Sequence, residues 1–312
     1  MSLIGKKIMV TGASSMIGAA ICEQLEIDNK VDRVLHSECD LLDYKQVLDR
    51  VVRFGPTHIV HAAGWNGGIS WNKKFPATIY QRTVQMGLNI YTAAIESKYH
   101  IEKILGILAS CSYPDSAEGV YNPADLHDGL PNPTVECHGL AKRTLFDYGR
   151  QVYKQHGIPC IAAILTNAYG PGDSFHPEKT KVVGALIRKF VEAKQSNTPA
   201  VTCWGTGAPK RQLIYSQDAA SGIIGALDNY FDYFSPINIG SPDEVSIKEL
   251  TLLIADIVGY DGKIEWDISK PDGQMRKFIV CDNFCPTTLE FGLKQTIDWY
   301  VDNKEFADAK GF

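Results

Sequence analysis

Over roughly its first half the chain alternates short apolar runs with longer amphipathic stretches, and this alternation restricts the fold more than any other feature. Runs at 7–10, 33–36, 57–61, 103–108 and 158–165 read as strands. Met16–Leu25 and the stretches 44–53, 79–97 and 138–154 read as the helices between them. Strands separated by whole helices do not pair as hairpins; right-handed crossovers join them into a parallel sheet with helices on both faces. Past Gly170-Pro171-Gly172-Asp173 the pattern loosens. Helices near 180–195, 217–228, 246–258 and 287–302 mix with short strands around 200–204, 212–215 and 236–239. The expected fold is α/β: a doubly wound parallel sheet over residues 1–170 and a smaller α/β substrate-binding unit over 171–312. Some segments of the second unit are expected to return to the sheet. Ligands of such sheets lie at the carboxyl ends of the strands, between the two parts.

Composition narrows the function by exclusion. A net charge of -5 argues against a general nucleic-acid binder or a binder of anionic membranes, though a local basic pocket for a phosphorylated ligand stays open. No apolar run reaches the roughly 20 residues that cross a bilayer, and the first residues do not read as a secretory signal. The 8 cysteines are scattered without a CxxC pair, and neither Cys281 nor Cys285 has a histidine nearby. That is the pattern of reduced thiols in a cytoplasmic protein rather than of a zinc site.

The turn after the first strand carries a candidate chemistry. Gly12-Ala13-Ser14-Ser15-Met16-Ile17-Gly18 leaves that strand and enters the first helix. Gly12 permits a tight turn, Gly18 permits close helix–strand packing, and the helix N-terminus suits a pyrophosphate. Ser15 replaces the middle glycine of the usual fingerprint, so the position of the motif in the first βα turn carries the reading of a Rossmann-type dinucleotide site. Asp40 and Leu41 follow the second strand, where a carboxylate and an amide can meet an adenine. Ala62, Ala63 and Gly64 close the third strand with residues small enough for a ribose to approach, or simply for strand and helix to pack. Glu38 stands near the distance at which a carboxylate binds a ribose 2′-hydroxyl. His36, Ser14 and Arg33 could instead receive a 2′-phosphate, and the reading favours NADPH over NADH.

Several stretches in register resemble one family. His61 to Ile69, Ser110-Cys111-Ser112-Tyr113-Pro114, Thr166 to Pro171, Phe175-His176-Pro177, Trp204 to Arg211 and Ser269-Lys270-Pro271-Asp272-Gly273 look like the corresponding stretches of GDP-L-fucose synthases, which are extended short-chain dehydrogenases/reductases. The resemblance runs from about residue 8 to 277. It implies a homodimeric enzyme that uses NADPH on a GDP-linked 4-keto-6-deoxy-sugar, epimerising C3 and C5 and then reducing C4. It places Arg211 on the nucleotide diphosphate and Lys270 and Asp272 in the loop around it. A guanidinium suits bidentate phosphate contact, although an isolated arginine after such a loop can also be a solvated charge. The resemblance further sets Leu165 and Asn167 beside the cofactor, and Asn167, Lys181 and Trp204 beside the substrate. Dimerisation would involve the stretches 79–97 and 138–154, whose apolar faces could equally be internal core.

The chain departs from that family at the reacting centre. Ala109 stands where the family has a serine, with Ser110 next to it. His138 replaces the tyrosine of the Tyr-xxx-Lys pair, whose lysine is Lys142. Cys111 is retained, but its histidine partner aligns with Lys181. His138 and Lys142 are four residues apart and share a helix face. An imidazole can serve as a general acid, although a neighbouring ammonium disfavours its protonated form. Epimerisation needs an acid and a base on opposite faces of the ring, and Lys181 is ill suited to either unless buried. The expectation is a C4 reductase whose epimerase activity is lost or weak, acting after a separate epimerase, as fucose-synthase-like proteins do in GDP-linked 6-deoxy-heptose pathways of bacterial capsules. Two alternatives stay open: the complete GDP-L-fucose synthase reaction, and an inactive protein that binds NADP(H) or a GDP-sugar.

Overall fold

The computed structural model describes residues 3–309 apart from 117–118, 178, 271 and 282–285, so Pro271 and Cys285 lie outside the described residues. The first half runs β1 (Lys7–Thr11), α1 (Met16–Leu25), β2 (Lys30–Val34), α2 (Tyr44–Phe54), β3 (His58–His61), α3 (Ile69–Lys74), α4 (Pro76–Glu96) and β4 (Lys103–Ala109). After a 3-10 turn at Ser110–Ser112 come β5 (Val120–Tyr121), α5 (Glu136–His156), β6 (Cys160–Leu165) and β7 (Asn167–Tyr169). The remainder is α6 (Val182–Gln195), β8 (Ala200–Trp204), β9 (Lys210–Tyr215), α7 (Ser216–Asn229), β10 (Ile237–Ile239), β11 (Glu244–Ser246), α8 (Ile247–Val258), β12 (Lys263–Asp267), β13 (Arg276–Ile279), α9 (Leu289–Asp302) and α10 (Lys304–Ala309).

The main sheet has the order β10-β6-β4-β3-β1-β2, with every pair parallel. The strand order reverses direction between β1 and β3, which opens the crevice where such sheets take their ligands. One face packs on α1 and α7 through Ile8, Val10, Ile21, Leu105 and Ile223. The other packs on α2, α4 and α5 through Met9, Val51, Ile59, Ile90 and Val152. Local signals start and stop the helices. Asp43 caps α2 by accepting from the Lys45 and Gln46 amides, and Gly55 ends it in the left-handed region. Ser246 and Glu249 form a reciprocal cap on α8, a device worth about 1 kcal/mol.

The second layer holds a mixed sheet of β11-β9-β13-β5 with β7 alongside β9, and a separate β12-β8 pair. Its core, built around Phe175, Ile187, Phe190, Leu250, Ile254, Leu293 and Tyr300, is distinct from those of the main sheet.

β2 differs from its expectation over 33–36, because it spans Lys30–Val34 and leaves His36 in the following turn. It is an edge strand paired only with β1, so its polar residues face water while the chain still makes the ladder. Much of the apolar surface of α4 and α5 packs inside the chain, with Met86 and Tyr148 half-buried. Ile79, Ile90, Tyr91 and Leu145 are buried, Tyr91 meets Tyr148 edge-on at 5.6 Å, and Gly87 lies directly against Leu145. No helix among the described residues is long and apolar enough to cross a membrane.

Candidate active site

The turn from β1 into α1 brings three backbones together. Ser15 caps α1, its hydroxyl accepting from the Gly18 amide at 3.1 Å. Gly12 has a φ of +68°, and a Cβ there would stand 2.9 Å from the Ala63 nitrogen; one on Gly18 would stand 2.1 Å from the Gly12 oxygen. Neither position accepts a side chain without backbone movement. Along this turn runs a cleft of about 340 Å³. Gly12, Ser14, Ser15 and Met16 form its floor at the N-terminus of α1. His36, Asp40 and Leu41 from beyond β2, Ala62, Ala63 and Gly64 from beyond β3, and Lys181 also line it. Ile17 and Gly18 sit behind the floor, in α1. The residues present fit a dinucleotide: an anion-attracting helix terminus, small residues at close approach and a groove across the strand-order reversal.

The charged residues in and after β2 are not all turned to the cleft. Glu38 is held by Arg50 at 3.1 Å, and the same guanidinium holds Asp32. Arg33 is not turned to the cleft; its Nε and Nη2 each lie 2.6 Å from the Glu26 carboxylate. His36 and Ser14 are thus the members of the expected 2′-phosphate group that line the cleft.

Helix α5 carries His138 and Lys142, both buried, to the backbone of Gly64, a residue of the cleft wall, although neither side chain lines the cleft itself. Lys142 Nζ donates to the Ala63 carbonyl at 3.1 Å. A Cβ on Gly64 would lie 3.4 Å from Lys142 Nζ and 3.7 Å from His138 Cε1, so the backbone at the end of β3 faces both groups. Burial, then Lys142 and Lys181, hold the His138 pKa well below the ordinary histidine range, and its Nδ1 has no partner among the described residues. Burial also pulls Lys142 down to about 8, against the opposing influence of Cys111. The pair therefore presents a neutral imidazole beside an amine that exchanges its proton near neutral pH.

Cys111 lies in the turn after β4, against the first turn of α5: a Cβ on Gly139 would meet its carbonyl oxygen at 2.3 Å. Burial pushes the thiol pKa up, opposed by Lys277, Lys181 and Lys142 in turn. Ser110 is buried in the same turn, its carbonyl accepting from the Tyr113 amide at 3.2 Å, and Ala109 ends β4 opposite Leu165 of β6. Lys181 is the N-cap residue of α6. Asn167 opens β7, half-buried, in register with Leu213 of β9.

The remaining expected residues form a second group. Trp204 ends β8 with 67% of its surface exposed, and Lys270 Nζ lies 5.8 Å from its ring. The Asp272 carboxylate accepts from the Thr206 amide at 3.0 Å and its hydroxyl at 2.7 Å, which fixes the loop. Arg211 on β9 approaches the backbone of this loop, since a Cβ on Gly273 would lie 3.2 Å from its Nη2. The two groups meet through Lys277, which the sequence reading missed. It lies on β13 beside Arg276; the latter pairs with Glu244, while Lys277 acts on both Cys111 and Arg211 and has its pKa lowered by burial. A second missed feature is an aromatic wall. Trp71 lies 5.5 Å from Trp65 and 4.5 Å from Phe75, with Arg82 over Trp65 at 5.3 Å and Lys179 over Trp71 at 5.0 Å. No cluster of metal-ligating residues occurs among the described residues.

Residues 8–240 match the model of the NAD dependent epimerase/dehydratase family. The chain is 37% identical over 308 residues to a probable GDP-L-fucose synthase of Oryza sativa subsp. japonica, covering 96% of this chain and 93% of that one. It is 32% identical to the GDP-L-fucose synthase of Escherichia coli (strain K12), covering 96% and 98%. Among solved structures it resembles a GDP-L-fucose synthetase from Naegleria fowleri bound to NADP. There the TM-score is 0.88 and the identity 28%, over 98% of this chain and 97% of the other.

Proposed function

Since the chain belongs to the NAD dependent epimerase/dehydratase family, among the GDP-L-fucose synthases, we propose that it is an oxidoreductase that uses NADPH to reduce the C4 ketone of a GDP-linked 4-keto-6-deoxy-sugar. In this reading C3/C5 epimerisation is lost or weak, a GDP-linked heptose is the favoured substrate, and the enzyme is a homodimer. Residues 1–170 hold the cofactor and 171–312 the sugar nucleotide. The observation that carries the reading is the buried Lys142–His138 pair packed against Gly64, itself part of the wall of a groove that suits a dinucleotide. NADPH held there would supply the hydride for the carbonyl carbon, being oxidised to NADP⁺. His138 polarises the ketone oxygen through its neutral N–H and gives up that proton as the alkoxide forms. Lys142 returns a proton to the ring. Ser110 and Cys111 border the sugar. Arg211, with Lys270, Trp204 and the Asp272-fixed loop, holds the GDP. Asn167 and Lys181 would contact the sugar nucleotide, and Leu165, with Asn167, the cofactor.

Epimerisation fits these groups poorly. Cys111 is a protonated thiol, and Lys181 brings a cation where the family's histidine would take or give a proton. The identity with the Oryza sativa and Escherichia coli relatives favours a second reading, the complete 3,5-epimerase/4-reductase reaction. NADPH oxidation with GDP-4-keto-6-deoxy-sugars, with and without a separate 3,5-epimerase, separates the two. Oxidation only after pre-epimerisation establishes the reductase. Oxidation without the epimerase establishes the second reading. No oxidation in either case, with NADPH still bound, leaves a binding protein.

A further inference from the structure

Linked to Lys142 through Thr11 and Ala63 is a buried side chain that the reaction scheme above does not use. His61 closes β3 with 1% of its surface exposed, and its Nδ1 lies 2.9 Å from the Thr11 hydroxyl, at the end of the adjacent strand β1. That hydroxyl accepts from the Ala63 amide at 3.3 Å, and the Ala63 carbonyl in turn accepts from Lys142 Nζ. His61 Nε2, by contrast, has no partner among the described residues. Ala63 is likewise the one acceptor of the Lys142 ammonium among the described residues, although an ammonium carries three hydrogens. A buried donor and a buried acceptor left unmet are both costly.

The proton's place on the ring follows from the surrounding charges. Burial, and then Lys142, push the His61 pKa down to about 3, so the ring is neutral, with one N–H and one lone pair. An N–H at Nε2 would add partial positive charge in the field of the ammonium. An N–H at Nδ1, donated to Thr11, leaves the Nε2 lone pair in that field, and a hydroxyl oxygen has two lone pairs for Nδ1 and Ala63.

We propose that His61 is a positioning residue for Lys142: its Nε2 lone pair, meeting the ammonium through one buried water, keeps that side chain charged and turned toward Gly64 and His138. The consequence for turnover rests on the C4 reduction proposed above; the contact itself does not. The other titratable groups acting on this centre are His138 from α5 and Cys111 from the turn after β4. Lys181 at the head of α6 acts on both of those, and Lys277 of β13 acts on Cys111.

The test is a lysine ¹⁵Nζ titration by NMR, the Lys142 signal assigned by its loss in Lys142→Met, run beside the pH profile of NADPH oxidation. His61→Leu removes the acceptor, and His61→Gln restores one near the position of Nε2. The expected result is a Lys142 midpoint lowered by about one pH unit or more in His61→Leu, with the basic limb of the profile following it. His61→Gln is expected to stay within about half a unit of wild type. An unchanged midpoint in a folded His61→Leu overturns the proposal, and so does an equal shift in both variants. Imidazole ¹⁵N shifts of the wild-type chain give a check that needs no variant: a protonated Nδ1 is expected, and a protonated Nε2 overturns it. If wild type reduces no GDP-4-keto-sugar, the functional reading fails while the titration still decides the role of His61.

Discussion

Arg50 holds Glu38 at 3.1 Å and Asp32 in the same guanidinium, and so withdraws from the cleft the carboxylate best placed to take a ribose 2′-hydroxyl. A 2′-phosphate entering beside His36 and Ser14 then meets no free carboxylate from Glu38. Arg50→Gln releases Glu38. The NADPH-to-NADH ratio of kcat/KM is expected to fall about tenfold, chiefly through a higher KM for NADPH, because like charges within a few ångströms repel. Steady-state kinetics with both cofactors check it, and an unchanged ratio would mean that Glu38 does not reach the ribose when freed.

Lys142 sets the second expectation. With its pKa drawn down to about 8 by burial, the reductase should lose activity as pH rises through that value, and the loss should be absent in Lys142→Met. The same variant should lower kcat/KM by about 10²–10⁴-fold, the usual worth of general acid–base help. No acid limb from His138 is expected near pH 6–7, because its ring stays neutral there. A limb near 6.5 that disappears in His138→Ala would show instead that the imidazolium is the working acid.

Lys181 offers a gain-of-function test. If the loss of the histidine at position 181 is what silences epimerisation, Lys181→His should restore solvent exchange at C3 or C5, read as deuterium uptake from deuterated buffer by mass spectrometry. Wild type alone should show at least tenfold less uptake, because it lacks the histidine that would work with Cys111 from the other face of the ring. Cys111→Ser in the Lys181→His background should remove the exchange. Rapid exchange in wild type would restore the bifunctional reading.

Much of this arrangement was legible before any coordinates, for reasons that particular residues make plain. The alternation of strands and helices is a period signal, and it announces a parallel sheet with helices on both faces; the order of the strands was not among the expectations, because right-handed crossovers allow more than one. The close approach of Gly12 and Gly18 was legible because only glycine fits there. β2 was misplaced because Lys30, Asp32 and Arg33 gave no apolar run; an edge strand is held by its ladder to β1, and polarity does not betray it. Lys277 was invisible for a different reason. Its neighbour Arg276 is a surface ion pair, and only the alternation of β13 turns the next side chain inward, on a strand too short to show a period. The aromatic wall of Trp65, Trp71 and Phe75 needed tertiary contact to appear, since three rings spread over the loop and α3 have no common spacing.

Three histidines give the chain a defined weakness to acid. His58 is drawn down to about 4 and His61 to about 3, each mainly by burial, and His138 lies well below 6.5 for the same reason. The unfolded chain binds protons at these rings from about pH 6.5 downward, whereas the folded chain does not until pH approaches their depressed values. Stability therefore rises with pH across this window. It is complete above about 6.5 and is lost progressively as pH falls toward 4 and below. The shift at His58 alone is worth on the order of 3 kcal/mol at the bottom of its window, against the roughly 5–15 kcal/mol that a domain has in total. Urea melts at pH 7.0, 5.5 and 4.5 should show unfolding free energies falling at each step. His58→Gln should remove part of the slope between pH 6 and 4, because glutamine keeps a polar side chain of similar reach and has no proton to gain. A slope unaffected by the substitution would place the acid sensitivity in the carboxylates, among which Glu102 is held low by Lys6 at 2.8 Å.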